Sequence, residues 1–356
     1  MEVYKRLAQR LDSLPQGYPE TDDGSELKLL EYLFTEEEAV LGAELKLTLE
    51  SSSVIAERLG RDKKETRSLL KQMAQRGLIK AGVIEGGFGF GLLPFAVGIY
   101  EFQTGRLDEE MSRLFENYYQ KAFGKMLTIS PQIHRVVPVN ETIDTDLAVE
   151  PYENVIDIVK GMKSWGVTDC ICRRQQAFMG NPCEHPLDVC MTFSERPGAY
   201  DNSSTVRAQT LDEALATLQK AADAGLVHSV SNNQEGLWYI CNCCTCSCGI
   251  LRGISELGIA DVVASSSFVN SVDRDDCSGC EACIEYCQFD ALTMDDSGIM
   301  TVNSLRCVGC GVCVPHCDME ALTLIKREVT EAPPVTEEDW MEKRAKLLGL
   351  DLDQVR

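Results

Sequence analysis

Eight of the seventeen cysteines in this chain fall between Cys277 and Cys317, in two runs. The first is Cys277, Cys280, Cys283 and Cys287; the second is Cys307, Cys310, Cys313 and Cys317. Each run reads C-x2-C-x2-C-x3-C, and the second lies thirty residues after the first, cysteine for cysteine. The repeat continues beyond them, because Ala291-Leu292-Thr293 recurs as Ala321-Leu322-Thr323. This is an internal duplication. Gaps of two residues let successive sulfurs of one loop point inward, and the fourth sulfur must approach from another side. Two zinc knuckles are the simpler alternative, but zinc sites seldom use four cysteines in this rhythm twice over.

Over about sixty residues, roughly 268 to 327, the pattern resembles that of two-cluster bacterial ferredoxins. The resemblance implies two [4Fe–4S] clusters, each taking its last ligand from the other half of the duplication. One cluster would then use Cys277, Cys280, Cys283 and Cys317, and the other Cys307, Cys310, Cys313 and Cys287. Gly279, Gly309 and Gly311 fit loops whose amides crowd the sulfides. One departure stands out: that family usually has proline after the fourth cysteine, where this chain has Gln288 and Asp318. The ligands are intact, so the departure bears on loop stiffness and potential.

At 356 residues the chain is long enough for two or three domains with real cores. It opens on Met1-Glu2-Val3-Tyr4-Lys5, which does not read as a secretory signal. The longest apolar candidate, Phe88 to Tyr100, is too short for a membrane span and is broken by Gly91 and Pro94. Cysteines without an export signal point to metal binding rather than disulfides. The expectation is a cytoplasmic protein of an anaerobe, since exposed clusters react with oxygen. The formal charge is −22, and residues 268–325 hold two basic against ten acidic side chains. Such a face steers toward a basic surface on a redox partner, or it serves solubility alone.

Ahead of the duplication the chain reads mostly helical. Leu7, Leu11 and Leu14 space as one helical face, ended by Pro15-Gln16-Gly17. From Ser25 the pattern is that of a winged helix. Helices are expected around Leu27–Leu33 and Glu36–Leu49, then one capped by Ser52 or Ser53, then one capped by Asp62. Leu69, Leu70 and Met73 form the buried face of the last, and Gly77 stops it. A strand from Leu78 to Ile84 and the glycines from Gly86 to Gly91 read as the wing. Lys63, Lys64, Arg67, Lys71 and Arg76 would suit a major groove. Against that, residues 1–164 carry twenty basic and twenty-seven acidic side chains, a poor start for phosphate contacts. Further on, 108–123 reads as a helix, 132–143 as a strand and 151–165 as a helix.

Nine more cysteines lie within 170–248: Cys170, Cys172, Cys183, Cys190, Cys241, Cys243, Cys244, Cys246 and Cys248. Five cysteines in eight residues cannot all pack as small hydrophobes, so they are ligands, redox groups or both. Disulfides in this stretch would be strained. Two further [4Fe–4S] clusters would use eight of the nine, with Cys170, Cys172, Cys183 and Cys190 joined to the later group in an unknown pairing. A single cubane with spare thiols, a structural zinc site and a reactive non-cubane cluster are the alternatives. Arg173 and Arg174 either offset cluster charge or form a solvated pair. His228 reads as a packed structural histidine rather than a ligand, and His316 as facing away from its neighbouring cysteine.

Cys170, Cys172 and Arg173, then Cys241 to Cys244, then the eight duplicated cysteines, resemble a family of anaerobic bacterial 4Fe-4S ferredoxin proteins with a winged-helix-like region and a C-x-C-R … C-N-C-C segment. That resemblance implies electron transfer without naming a substrate. The expected fold is α+β and multidomain. A winged-helix-like domain spans 1–104, a cysteine-rich domain 105–265, a duplicated βαβ ferredoxin domain 266–327, and a linker and helix 328–356. In that last helix Trp340, Met341 and Leu347 or Leu348 are the expected apolar contacts. The expected function is electron relay to a redox partner or within an oxidoreductase complex. The rivals are a redox-responsive winged-helix transcription regulator and a reductase working at the middle cysteines. No G-x-G-x-x-G after a clear strand and no P-loop supports the last.

Overall fold

Capping side chains set the helix starts in the first half of the chain. In the computed structural model, which describes residues 1–139 and 149–356, Thr35 and Glu38 form a reciprocal capping box on the helix Glu36–Gly42. The next helix, Ser52–Arg58, is capped by Ser51, one residue earlier than expected from sequence. Asp62 accepts the amides of Lys64 and Glu65 and starts the helix Lys63–Gln75, which buries Thr66, Leu70 and Met73. Strands Lys80–Ile84 and Gly87–Gly91 form an antiparallel hairpin. Glu50–Ser51 adds to its second strand.

The chain divides into two compact units. One comprises Met1–Met126, Ala177–Asn181 and Met341–Arg356; the other comprises Leu127–Gln176 and Pro182–Trp340. The sequence-derived boundaries at 104, 265 and 327 do not coincide with the edges of these units. Residues 105–126 join the first unit because the helix Glu109–Tyr118 packs on the helix Ser25–Leu33. Its Phe115 stacks on Tyr100 with ring centroids 3.9 Å apart, and Tyr118 packs against Tyr18 and Phe95. The final helix, Glu337–Leu348, also differs from its expected packing. Leu347 is exposed, whereas Trp340, Arg344 and Ala345 are buried. Trp340 donates its indole N–H to the carbonyl of Gln132 at 2.9 Å. Arg344 donates to the carbonyls of Pro15 and Met126, each at 2.8 Å.

The second unit is built on a seven-stranded sheet. Its order is Val263–Ala264, His134–Val136, Val227–Ser231, Tyr239–Cys243, Cys190–Ser194, Ser164–Thr168, Arg207–Gln209. Only the first pair is parallel. The strand expected over 132–143 is three residues long, His134–Val136, and positions 140–143 lie outside the described residues. The helix expected over 151–165 runs only from Val155 to Lys160, and Trp165 belongs to a strand. Val155, Val159, Ala214, Leu218, Phe193 and Ile240 form the core between this helix, the helix Leu211–Asp223 and the sheet. The sheet thereby delivers Cys190, Cys241 and Cys243 on neighbouring strands.

The thirty-residue duplication reappears as geometry. Three pairs of left-handed residues recur at that spacing: Gly279 and Gly309, Glu281 and Gly311, Asp290 and Glu320. The two halves interlock by exchanging strands. Phe268–Val272 pairs with Leu322–Lys326, and Leu292–Met294 pairs with Met300–Val302. The amide of Asp273 bonds the carbonyl of Ala321, and that of Asn303 bonds the carbonyl of Ala291.

Gly309 has φ of +70°, and a Cβ there would stand 2.1 Å from the carbonyl oxygen of Phe268. Gly298 has φ of +78° with nothing within 4 Å. Gly298→Ala is therefore expected to cost only the left-handed penalty of about 1–2 kcal/mol. Gly309→Ala should cost clearly more, because backbone must also move. Chemical denaturation of the two anaerobically purified variants compares them, and equal losses would contradict the steric argument.

Candidate metal centres

The crossing of the duplicated strands brings the last cysteine of each run to the other run. Cys287 lines one cavity with Cys307, Cys310 and Cys313, between walls that include Phe289 and Leu292. Donors already face these sulfurs. The Asn270 side-chain amide donates to Cys313 Sγ at 2.9 Å, its backbone N–H to Cys307 Sγ at 3.5 Å, and the Ala291 N–H to Cys287 Sγ at 3.3 Å. Burial pushes the Cys310 thiol up to about 12, with Cys307 and Cys287 adding to the effect. In the other half burial pushes Cys283 up to about 11, and its charged neighbours are Cys317, Cys280 and Cys277. Buried thiols of this kind resist ionisation until a cation arrives, and cluster iron would supply one. The donor sets thus fit two cubane groups.

Tyr286 and His316, again thirty residues apart, stack face to face at 3.4 Å and 6°. His316, expected to face away from its neighbouring cysteine, is half-buried on the Tyr286 ring. Gln288, in the place of the expected proline, also has a use. Its side-chain oxygen accepts the amide of Thr245 at 2.7 Å, and its nitrogen donates to the carbonyl of Gly225. Thr245 stands between Cys244 and Cys246, so Gln288 ties the duplicated segment to the middle cysteines.

Six of the nine middle thiols form a chain in which each shifts its neighbour's ionisation. It runs Cys190, Cys170, Cys172, Cys248, Cys243, Cys241. Cys241 in turn raises Cys190, so the six thiols form a ring of electrostatic neighbours. The Cys248–Cys243 contact is 3.4 Å. The remaining three gather apart: Cys183 contacts Cys244 at 3.8 Å and Cys246 at 3.2 Å. Of the four earlier cysteines, which the sequence joins to the later group in an unknown pairing, Cys183 stands with Cys244 and Cys246. His185 completes this second group, its Nδ1 lying 3.0 Å from Cys183 Sγ and 3.9 Å from Cys246 Sγ. Sequence reasoning missed His185, although the spacing Cys183-x-His185 beside Cys244-x-Cys246 was there to read.

Arg173 is 1 % exposed and faces both groups. Nη1 donates to the carbonyl of Pro186 at 3.0 Å and Nη2 to that of Asn242 at 2.6 Å. Its Nε has no hydrogen-bond partner among the described residues. Burial works against its charge, but Cys170, Cys244, Cys190 and Cys243 outweigh it and hold the guanidinium protonated. Cys244 is held down to about 5, first by its hydrogen bond with Cys246, then by Arg173 and His185. Arg174 instead pairs with Asp169 at 3.5 Å, half-exposed. His228 is buried, its Nδ1 donates to the Asn242 side-chain oxygen at 2.5 Å, and burial lowers its pKa to about 4. It braces the strand between Cys241 and Cys243.

On the helix Lys63–Gln75, Lys63, Lys64, Arg67 and Lys71 are exposed. Arg76 is not available, because it pairs with Glu38 and donates to the carbonyl of Leu33.

Residues 276–330 match the family model of the 4Fe-4S dicluster domain. No curated protein and no solved structure matches the chain. With its thiol-rich middle region, the chain is an iron–sulfur protein carrying a ferredoxin-type segment. Among the described residues, no helix is long and apolar enough to cross a membrane.

Proposed function

We propose that this protein carries electrons, either as a free carrier or as a subunit of an oxidoreductase complex. The observation that carries the reading is the cavity lined by Cys287 together with Cys307, Cys310 and Cys313, matched by the neighbourhood of Cys283 and Cys317. When bound, [4Fe–4S] groups supply one-electron redox chemistry there. Cys280 is exposed and flanked by exposed Asp275, Asp276 and Glu281, so a partner with a basic face docks over that edge. The six-thiol ring holds a polynuclear iron–sulfur centre, since six thiolates are more than one tetrahedral ion accepts. Gln288, bonded to Thr245, holds the two regions in register. The order of helices and hairpin over residues 25–91 supports a winged helix, and the engagement of Arg76 favours a docking module over a DNA reader.

Iron and acid-labile sulfide are measured on protein purified without oxygen. The reading expects about eight iron from the duplicated segment, with further iron from the ring. Iron of about four or less, or zinc filling the ring, would overturn it. Reduced protein should also pass electrons to a basic cytochrome at a rate that falls with added salt.

A further inference from the structure

We propose that Cys183, His185, Cys244 and Cys246 form a mononuclear tetrahedral zinc site, separate from the iron–sulfur centres. The four ligand atoms all lie within 4.8 Å of one another. A tetrahedral zinc with bonds of about 2.3 Å to sulfur and about 2.0 Å to nitrogen sets its sulfurs about 3.8 Å apart and its sulfur–nitrogen edges about 3.5 Å. Cys183 to Cys244 is 3.8 Å, and Cys246 to His185 Nδ1 is 3.9 Å. The two remaining contacts, 3.2 Å from Cys183 to Cys246 and 3.0 Å from Cys183 to His185, relax outward around an ion. A cubane does not fit this group, because four irons must stand between its ligand sulfurs and spread them farther.

The donor types agree with the distances. Three cysteines and one histidine are a structural zinc set, delivered here as C-x-H and C-x-C from segments about sixty residues apart. The positions also give the ion a task. No helix or strand covers residues 179–189, between the helix Ile171–Phe178 and the strand Cys190–Ser194. That segment supplies the Pro186 carbonyl to Arg173 and the Leu187 carbonyl to the Cys170 amide. Zinc would pin it, and so fix two partners of the six-thiol ring. Zinc has no redox chemistry of its own, so this site shapes the relay without joining it. Cys246 is exposed and Cys183 and His185 are half-buried, which leaves the ion open to exchange.

The test uses the full chain, purified anaerobically, with zinc, iron and sulfide counted together. About one zinc per chain is expected. Replacing it with cobalt(II) should give the strong visible bands of a tetrahedral thiolate site, a reading that needs no variant. His185→Ala should release zinc to a chelator faster by about tenfold or more, the least that losing even an outer-shell partner costs. Iron and sulfide should not change. Absence of zinc, a weak octahedral cobalt spectrum, or a fall of about four iron per chain in Cys246→Ser would each overturn the site. The last result would give these thiols to a cluster, and the electron-transfer reading would stand without the zinc.

Discussion

Cys287→Ser is expected to strip the metal from the second cysteine run and leave its own run loaded. Cys287 lines the cavity of Cys307, Cys310 and Cys313, whereas Cys283 has Cys317 as its neighbour from the other run. Iron should fall by about four per chain. Alkylation under non-denaturing conditions then locates the loss. Cys307, Cys310 and Cys313 should become reactive while Cys277, Cys280 and Cys283 stay protected. Cys317→Ser should give the mirror result. If Cys287→Ser instead exposes the thiols of its own run, each run binds its own cluster and the interlocked arrangement does not govern ligation.

Arg173→Leu is expected to be the most damaging single change outside the cysteines. The guanidinium is fully enclosed, and the sulfurs that hold it protonated come from both middle groups. Removing one partner of a buried charge set costs about 3–5 kcal/mol, because the other charges stay buried without compensation. It also frees the carbonyls of Pro186 and Asn242 that the side chain holds. Arg173→Lys keeps the charge but not the planar reach to both carbonyls, so it should recover only part of the loss. Arg174→Leu is the control, since that side chain meets only Asp169 at the surface, and a change within about 0.5 kcal/mol is expected. Denaturant midpoints and metal per chain are the readouts. An Arg173→Leu protein with normal iron and stability within about 1 kcal/mol of the parent would show that the cation does not balance the thiols.

The duplicated segment was legible because every signal in it is local or repeats at one fixed interval. Cysteine spacing, Gly279 and Gly309 could be read without knowing what they touch. Helix starts were legible to within a residue, as at Asp62 and at Ser51, where the cap stood one place earlier than expected. The middle region was opaque for the opposite reason. Cys183 meets Cys244 and Cys246 across about sixty residues, and no periodicity records such a meeting. His185 was passed over because one histidine among nine cysteines carries little weight until its neighbours are known. Gln288 looked like a lost proline, and only its contacts with Thr245 and Gly225 reveal an amide that bridges two regions. Arg76 looked like one more basic side chain on an exposed helix, and Glu38 claims it.

The exchange of strands between the two halves has a consequence for the order of events during synthesis. Each half lends the other a strand partner and a sulfur. A nascent chain that has emerged only as far as Asn303 holds one complete run of cysteines but not one complete ligand set. In this pairing the second centre lacks a ligand until Cys313 has emerged from the ribosome, and the first until Cys317 has. Iron delivery to this segment is then a paired event: a chain short of Cys313 offers no complete ligand set, and four residues later it offers two.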